Sequence, residues 1–384
     1  MTVLNADPLA LLRTRTSTKW AVYPPDVLPM FVAEMDYPVA PEIAARLVEL
    51  VARSDLGYDS RRPDLGIAFC AFAEDAWDWA FDPKTLRWTV NVMHAITEIT
   101  RAVIAPGDRV LVNTPVYPPF FWAAAEAGGT LVDVPLRIDG PTQRGLDLEG
   151  IEAAFRDGVK VYLLCNPHNP IGFPHDRGEL ERVAELAAEY GVIVVSDEIH
   201  GALTHADVEF VPYLAVSDAA RATGVCVTSG SKAFNIPGLP SAWWIPGSKE
   251  VAARLERLPE SLVHRVSHLG THASTVGFNE SRQWLADAVE TLQANRALLR
   301  ELLDEHLPKA ILHEPTSSYL AWIDFRELGW GDEPAKRIVR EAKVALSPGV
   351  QFGELGKGFA RLNYACSPAV LEEGIRRIAS MPRA

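Results

Sequence analysis

Between about Pro41 and Gly270, short and almost uninterrupted apolar runs alternate with longer segments of helical period, and this alternation confines the fold to a narrow class. The runs are Leu86–Val92, Arg109–Asn113, Thr130–Val134, Val159–Cys165, Val192–Ser196 and Val225–Thr228. A strand with one wet face alternates polar and apolar residues, whereas strands that stay apolar are covered on both faces. The expected class is therefore α/β, a large domain whose mostly parallel sheet is sandwiched by helices. A helix-rich stretch over Asn279–Leu307 leads into a second pattern, with strands expected at Tyr319–Phe325, Val344–Leu346 and Ala360–Tyr364 and helices at Glu333–Glu341 and Pro368–Ser380. That is a smaller α+β unit. The first 40 residues are rich in proline and aromatics and read as an extended arm. The chain thus divides into an arm over 1–40 that joins the small domain, a large domain over 41–274 and a small C-terminal domain over 275–384.

Charge narrows the partners. Asp and Glu outnumber Lys and Arg by 50 to 37 in 384 residues, and no dense basic run could follow a phosphate backbone, so nucleic acid is excluded. No 18 consecutive apolar residues occur, and the first residues lack a charged segment followed by an apolar one, which points to the cytosol and to no membrane partner. Cys70, Cys165, Cys226 and Cys366 lie far apart, encoding neither a disulfide framework nor a cysteine metal site. His264, His268 and His272 stand four apart and would line one face of a helix. Only Glu260 could complete a ligand set and Gly270 weakens the helix, so a packing or interface segment is expected and no metal is assigned.

In an open parallel sheet, ligands sit beyond the carboxyl ends of the strands. Here those positions are polar. Asn166-Pro-His-Asn-Pro-Ile-Gly172, Asp197-Glu-Ile-His200 and Ser229-Gly-Ser-Lys232 follow three successive runs, so that Asn169, Asp197 and Lys232 are spaced 28 and 35 residues apart. A lysine on a short Ser/Gly turn, partly desolvated, suits a Schiff base to a carbonyl cofactor. An aspartate one sheet position away could pair with a protonated pyridine nitrogen, as a pyridoxal phosphate (PLP) site requires.

These three motifs, in order and spacing, resemble the signature of fold-type-I PLP enzymes, the aminotransferase class I/II superfamily. Met30-Phe-Val-Ala-Glu-Met-Asp-Tyr-Pro38, Asn113-Thr-Pro-Val-Tyr-Pro-Pro119, Ser231-Lys-Ala-Phe-Asn-Ile-Pro-Gly238 and Arg361-Leu-Asn-Tyr-Ala-Cys366 are similar to the MalY/PatB branch of carbon–sulfur β-lyases. The resemblance implies that Lys232 carries the cofactor and removes the α-proton, that Asp197 holds the pyridine nitrogen protonated and that Asn169 bonds the phenolate oxygen. It implies further that Tyr117 stacks on the ring as a catalytic aromatic, that Ser229 and the amides around Val92 and Met93 bind the phosphate, and that Arg361 grips the substrate carboxylate as a two-bond fork. Tyr58 would reach the phosphate from a neighbouring subunit, which makes the active site shared in a homodimer.

Plain structural uses stand beside these roles: Tyr117 as a packed loop aromatic, Arg361 in an ion pair, His200 as a core histidine rather than a cofactor neighbour, and Tyr58 as an exposed loop residue. Two departures matter. Pro240 occupies the position eight beyond the lysine where the wider superfamily places a phosphate-gripping arginine, and Asn91-Val-Met-His94 replaces the usual Gly or Ser turn, leaving His94 either a phosphate contact or a packing residue. The reaction expected is α,β-elimination from L-cystathionine or another cysteine S-conjugate, giving a thiol, pyruvate and ammonia. An aminotransferase of an α-amino acid is the alternative, and a PLP-binding regulatory protein is the alternative of another class.

Overall fold

The computed structural model describes residues 4–60 and 63–382. Seven strands build the main sheet: β1 (Arg87–Thr89), β2 (Arg109–Val112), β3 (Thr130–Asp133), β4 (Val159–Cys165), β5 (Ile193–Asp197), β6 (Gly224–Thr228) and β7 (Ala242–Pro246), in the spatial order β1-β7-β6-β5-β4-β2-β3. All run parallel except β7, which is antiparallel to both its neighbours. The apolar runs have the expected cause. Tyr162 and Leu164 of β4 enter one apolar cluster while Val161 and Leu163 enter a second, so alternate residues of a single strand are buried on opposite faces.

Three expectations are corrected. Leu86–Val92 is not a strand throughout: β1 stops at Thr89, because the Asn91 side chain accepts the His94 amide at 2.8 Å and starts helix α1 (Val92–Val103). Strand β7, with Trp243 and Trp244, was not expected, since it follows a proline-rich loop and breaks the parallel pattern. The helix-rich stretch over Asn279–Leu307 is found as expected, as the end of α2 (His268–Glu280) and all of α3 (Arg282–His306), meeting at Ser281. His264 ends a separate helical turn, Ser261–His264, so the three histidines do not share one helix. Gly270 does not break α2 but lets it approach, because a Cβ there would lie 2.6 Å from the Leu239 carbonyl oxygen.

A second sheet is formed by β8 (Ile311–His313), β9 (Leu320–Asp324), β10 (Ser347–Pro348) and β11 (Phe359–Asn363), in the order β8-β9-β11-β10. The N-terminal segment is extended over much of its length but holds the helical turns Leu9–Leu12 and Thr18–Ala21. Its Leu28–Pro29 pairs in parallel with Val344–Ala345, and beyond it the Phe31 carbonyl accepts from Arg361 of β11 and the Ala33 carbonyl from Lys232, just after β6. Among the described residues, no helix is long and apolar enough to cross a membrane.

Candidate active site

The carboxyl ends of the parallel strands open on a cavity of about 310 Å³, the lower end of the range for small-molecule sites. Asn169, Asp197, Lys232, Arg361, Tyr117, His200, Ser229, Val92 and Met93 all line it, and so does Pro240.

Each is placed by a local cause. Asp197 is the last residue of β5, opposite Cys165 of β4 and Val227 of β6, which fixes its depth. Its carboxylate accepts the Ile199 amide at 3.1 Å and is otherwise enclosed, and burial pushes its pKa up to about 7 against the smaller opposing pull of that amide and of Lys232. Lys232 lies on the short helical turn Gly230–Ala233, capped by Ser229. Burial, reinforced by Arg361, brings its ammonium down to about 8, and its Nζ donates to the Ala33 carbonyl at 2.9 Å. An amine with that value is partly neutral near pH 7 to 8, as a nucleophile or base must be.

Arg361, on β11, is 6% exposed, and its bonds among the described residues run to amide, hydroxyl and carbonyl oxygens rather than to a carboxylate. Its Nη1 donates to Asn169 Oδ1 at 2.9 Å, its Nη2 to the Phe31 carbonyl and Ser347 Oγ at 3.2 Å each, and its buried Nε has no partner. A buried cation without a carboxylate is costly, and burial draws it down to about 10. The site therefore favours an incoming anion. Because Asn169 Oδ1 accepts from Arg361, its amide nitrogen remains as the donor. His200 is uncharged, held down to about 3 by burial and by the nearby Lys232 and Arg361, and its Nδ1 is buried without a partner. Tyr117 is half-buried on the cavity wall, its phenol raised by the same desolvation.

The amides of Val92 and Met93 open α1, where helix N–H groups lack intrahelical acceptors and suit an anion. The Ser229 hydroxyl, however, is engaged within the turn: it donates to the Ser241 carbonyl at 2.7 Å and accepts the Ser231 amide at 3.1 Å. His94 is not among the cavity-lining residues. Tyr58 is 96% exposed and lies away from this cavity. His268 and His272 stack edge to face at 4.6 Å, with His268 near Asp55 and Asp59, also outside it.

Two contributors carried no sequence signal, because the Ala33 carbonyl is a backbone atom and Tyr319, which donates to it at 2.9 Å, looks like any strand aromatic. Asn363 could have been noticed two residues after Arg361. It donates to the Val32 and Glu34 carbonyls at 2.6 Å each, fixing the segment that carries Ala33.

The donor set fits PLP. A desolvated lysine suits the aldehyde, a buried carboxylate bonded only to the Ile199 amide the pyridine nitrogen, an amide donor the phenolate oxygen, an aromatic wall the ring face, and a helix start the phosphate.

Comparison with known proteins agrees. The aminotransferase class I and II pattern matches residues 26–378. A Mycobacterium tuberculosis protein bearing the provisional name cystathionine beta-lyase is 40% identical over 95% of this chain and 94% of its own. Cystathionine beta-lyase PatB of Bacillus subtilis is 33% identical over 92% of each chain. A PLP-bound protein from Clostridium difficile 630 superposes with a TM-score of 0.91 at 28% identity, covering 96% of this chain and 97% of its own.

Proposed function

Because this chain belongs to the aminotransferase class I and II family, we propose that it is a PLP-dependent carbon–sulfur β-lyase acting on L-cystathionine or a related cysteine S-conjugate. One observation carries the reading: Lys232, Asp197, Asn169 and Arg361, drawn from both sheets, meet on one cavity in a chain 33% identical to a named cystathionine β-lyase.

When bound, PLP supplies an electron sink for the pair left as the substrate Cα–H bond breaks. The protein does the rest. Arg361 takes the substrate carboxylate, with Asn169 and Ser347 holding the guanidinium in place, and so turns the Cα–H toward Nζ of Lys232. Lys232 takes that proton. The Cβ–S bond then breaks with its electron pair leaving on sulfur, and the thiolate acquires a proton. Water converts the three-carbon remainder to pyruvate and ammonia, so each turnover consumes one water and no keto acid. Asp197, costly as a lone buried anion, would hold the ring nitrogen protonated, the cation there opposing the burial that raises its pKa. Tyr117 and Ile199 bound the cavity and exclude water from the reacting carbon.

Val48, Val51, Leu56, Tyr58 and Ile67 are exposed apolar side chains within a 20-residue stretch, which supports a homodimer in which Tyr58 enters the partner's site. The same reading keeps an arm over 1–40, a large domain over 41–274 and a small domain over 275–384, in a cytosolic protein.

The test is the stoichiometry of products from L-cystathionine with PLP and no keto acid. Pyruvate, ammonia and thiol formed in equal amounts over many turnovers support the β-lyase. Their absence, with the visible cofactor band nevertheless shifting on adding amino acids, supports an aminotransferase instead.

A further inference from the structure

One buried ionisable group beside the cavity has no part in the chemistry above. Glu198 follows Asp197 directly, is 2% exposed, and does not line the cavity. Its carboxyl faces the body of the sheet. Oε1 accepts the Tyr213 amide at 2.8 Å and the Ser196 hydroxyl at 2.9 Å, and Oε2 accepts from Cys226 Sγ at 3.3 Å. Its backbone is tied as firmly: the amide donates to the Val227 carbonyl at 2.8 Å, and the carbonyl accepts from the Gly201 amide at 3.0 Å and Thr228 Oγ1 at 3.2 Å.

Six hydrogen bonds thus converge on one residue, from β5, β6, the turn at Tyr213 and Gly201. The residues on either side of it are the ones that face the cofactor: Asp197 before, Ile199 and His200 after. Ile199 cannot move without Asp197, because its amide caps the Asp197 carboxylate. A turn carrying three cavity side chains is therefore fixed from behind by the Glu198 carboxyl. A shorter or apolar side chain would leave the Tyr213 amide and the Ser196 hydroxyl buried and unpaired, and the turn would shift to satisfy them.

We propose that Glu198 is a positioning residue: it locks the Asp197–His200 turn from the far side of the sheet and so sets how firmly, and at what tilt, the cofactor ring is held. The inference rests on the reading that the cavity binds PLP with its ring nitrogen at Asp197. The titratable groups acting on Glu198 are Asp197, its neighbour in the chain, and Cys226 on β6, and no described Lys, Arg or His forms an ion pair with it. Burial accordingly raises its pKa to about 7.

The test compares Glu198→Ala, Glu198→Asp and Glu198→Gln with the wild type in cofactor dissociation constant, visible circular dichroism of the bound cofactor, and melting of the cofactor-free protein. Glu198→Asp keeps the acid but withdraws it by one methylene, and Glu198→Gln keeps the reach and the acceptor oxygen. Glu198→Ala and Glu198→Asp are expected to weaken cofactor binding by at least about tenfold and about fivefold and to alter the visible dichroism, while Glu198→Gln stays within about threefold of wild type. Should Glu198→Ala not fold, the contrast between Asp and Gln decides. A folded Glu198→Asp with wild-type cofactor affinity and dichroism overturns the inference alone. A wild-type protein that gives no visible cofactor band overturns the cofactor reading and the inference together.

Discussion

The ammonium of Lys232 donates to the carbonyl of Ala33 across 2.9 Å, joining residues 199 apart in sequence. This contact is one of a series, for every carbonyl from Phe31 to Asp36 has a donor. Phe31 receives Arg361 and Ser347, Val32 receives Asn363, Ala33 receives Lys232 and Tyr319, and Glu34 receives Lys19 and Asn363. Met35 receives Asn235 and Asp36 receives the Asp7 amide. The segment is the cavity's seam, and the residues proposed to hold cofactor and substrate also hold it.

The seam is anchored by the buried ion pair of Lys19 and Asp36, 2.7 Å apart with side chains 1% and 2% exposed. Removing one member leaves the other charged and enclosed. Lys19→Ala is expected to cost about 3 kcal/mol of stability. It should also raise KM, since the Ala33 segment loses its tether, and both effects are read from denaturant unfolding and steady-state kinetics. Unchanged stability would show that the pair is dispensable.

Arg361→Lys keeps the charge and loses the fork. Its planar donors cannot be reproduced by an ammonium, so kcat/KM for an amino-acid substrate is expected to fall by at least about 30-fold, with most of the loss in KM. A loss confined to kcat would argue against a carboxylate anchor.

Asp197→Asn removes the anion opposite the ring nitrogen while conserving shape. Cofactor should still bind, but kcat is expected to drop by about 100-fold or more because the electron sink is no longer cationic. Full turnover in a loaded Asp197→Asn protein would contradict that role.

Acid should destabilise the cofactor-free protein. Burial pushes the imidazoles of His168, His175, His200, His205 and His313 down to about 4, 3, 3, 4 and 4. Unfolding returns them to an ordinary value of 6.5, so below that pH the unfolded chain binds more protons. The stability they contribute is complete above about pH 6.5 and is lost as the pH falls toward 4. Asp197 and Glu198, raised to about 7 by burial, and Asp36 and Glu179, raised by the same cause, act oppositely, since the folded state protonates first, but they are four against five. The melting temperature at pH 5 is therefore expected below that at pH 7. A higher one would mean that the carboxyls dominate.

The sheet was legible because burial on both faces leaves an apolar run that composition cannot hide, and β4 was bounded to the residue. Strand β7 was not, since an antiparallel insertion after Pro240 follows no alternation with helices. At the site, Asn169, Asp197 and Lys232 announced themselves by standing at successive strand ends. Arg361 was visible as a charge inside an apolar strand. Groups acting through the backbone, such as the Ala33 carbonyl, leave no trace in residue type. Glu198 was hidden for another reason: an acid next to a catalytic acid reads as one motif, although the strand directs the two carboxyls to different surroundings.

The most direct test of the central claim is pyruvate release from L-cystathionine, with PLP present and keto acid absent, by wild-type protein and Lys232→Ala side by side. Steady multiple turnovers are expected for the wild type, with loss of both turnover and the lysine-dependent visible band for Lys232→Ala. Full turnover in the folded variant would contradict that claim.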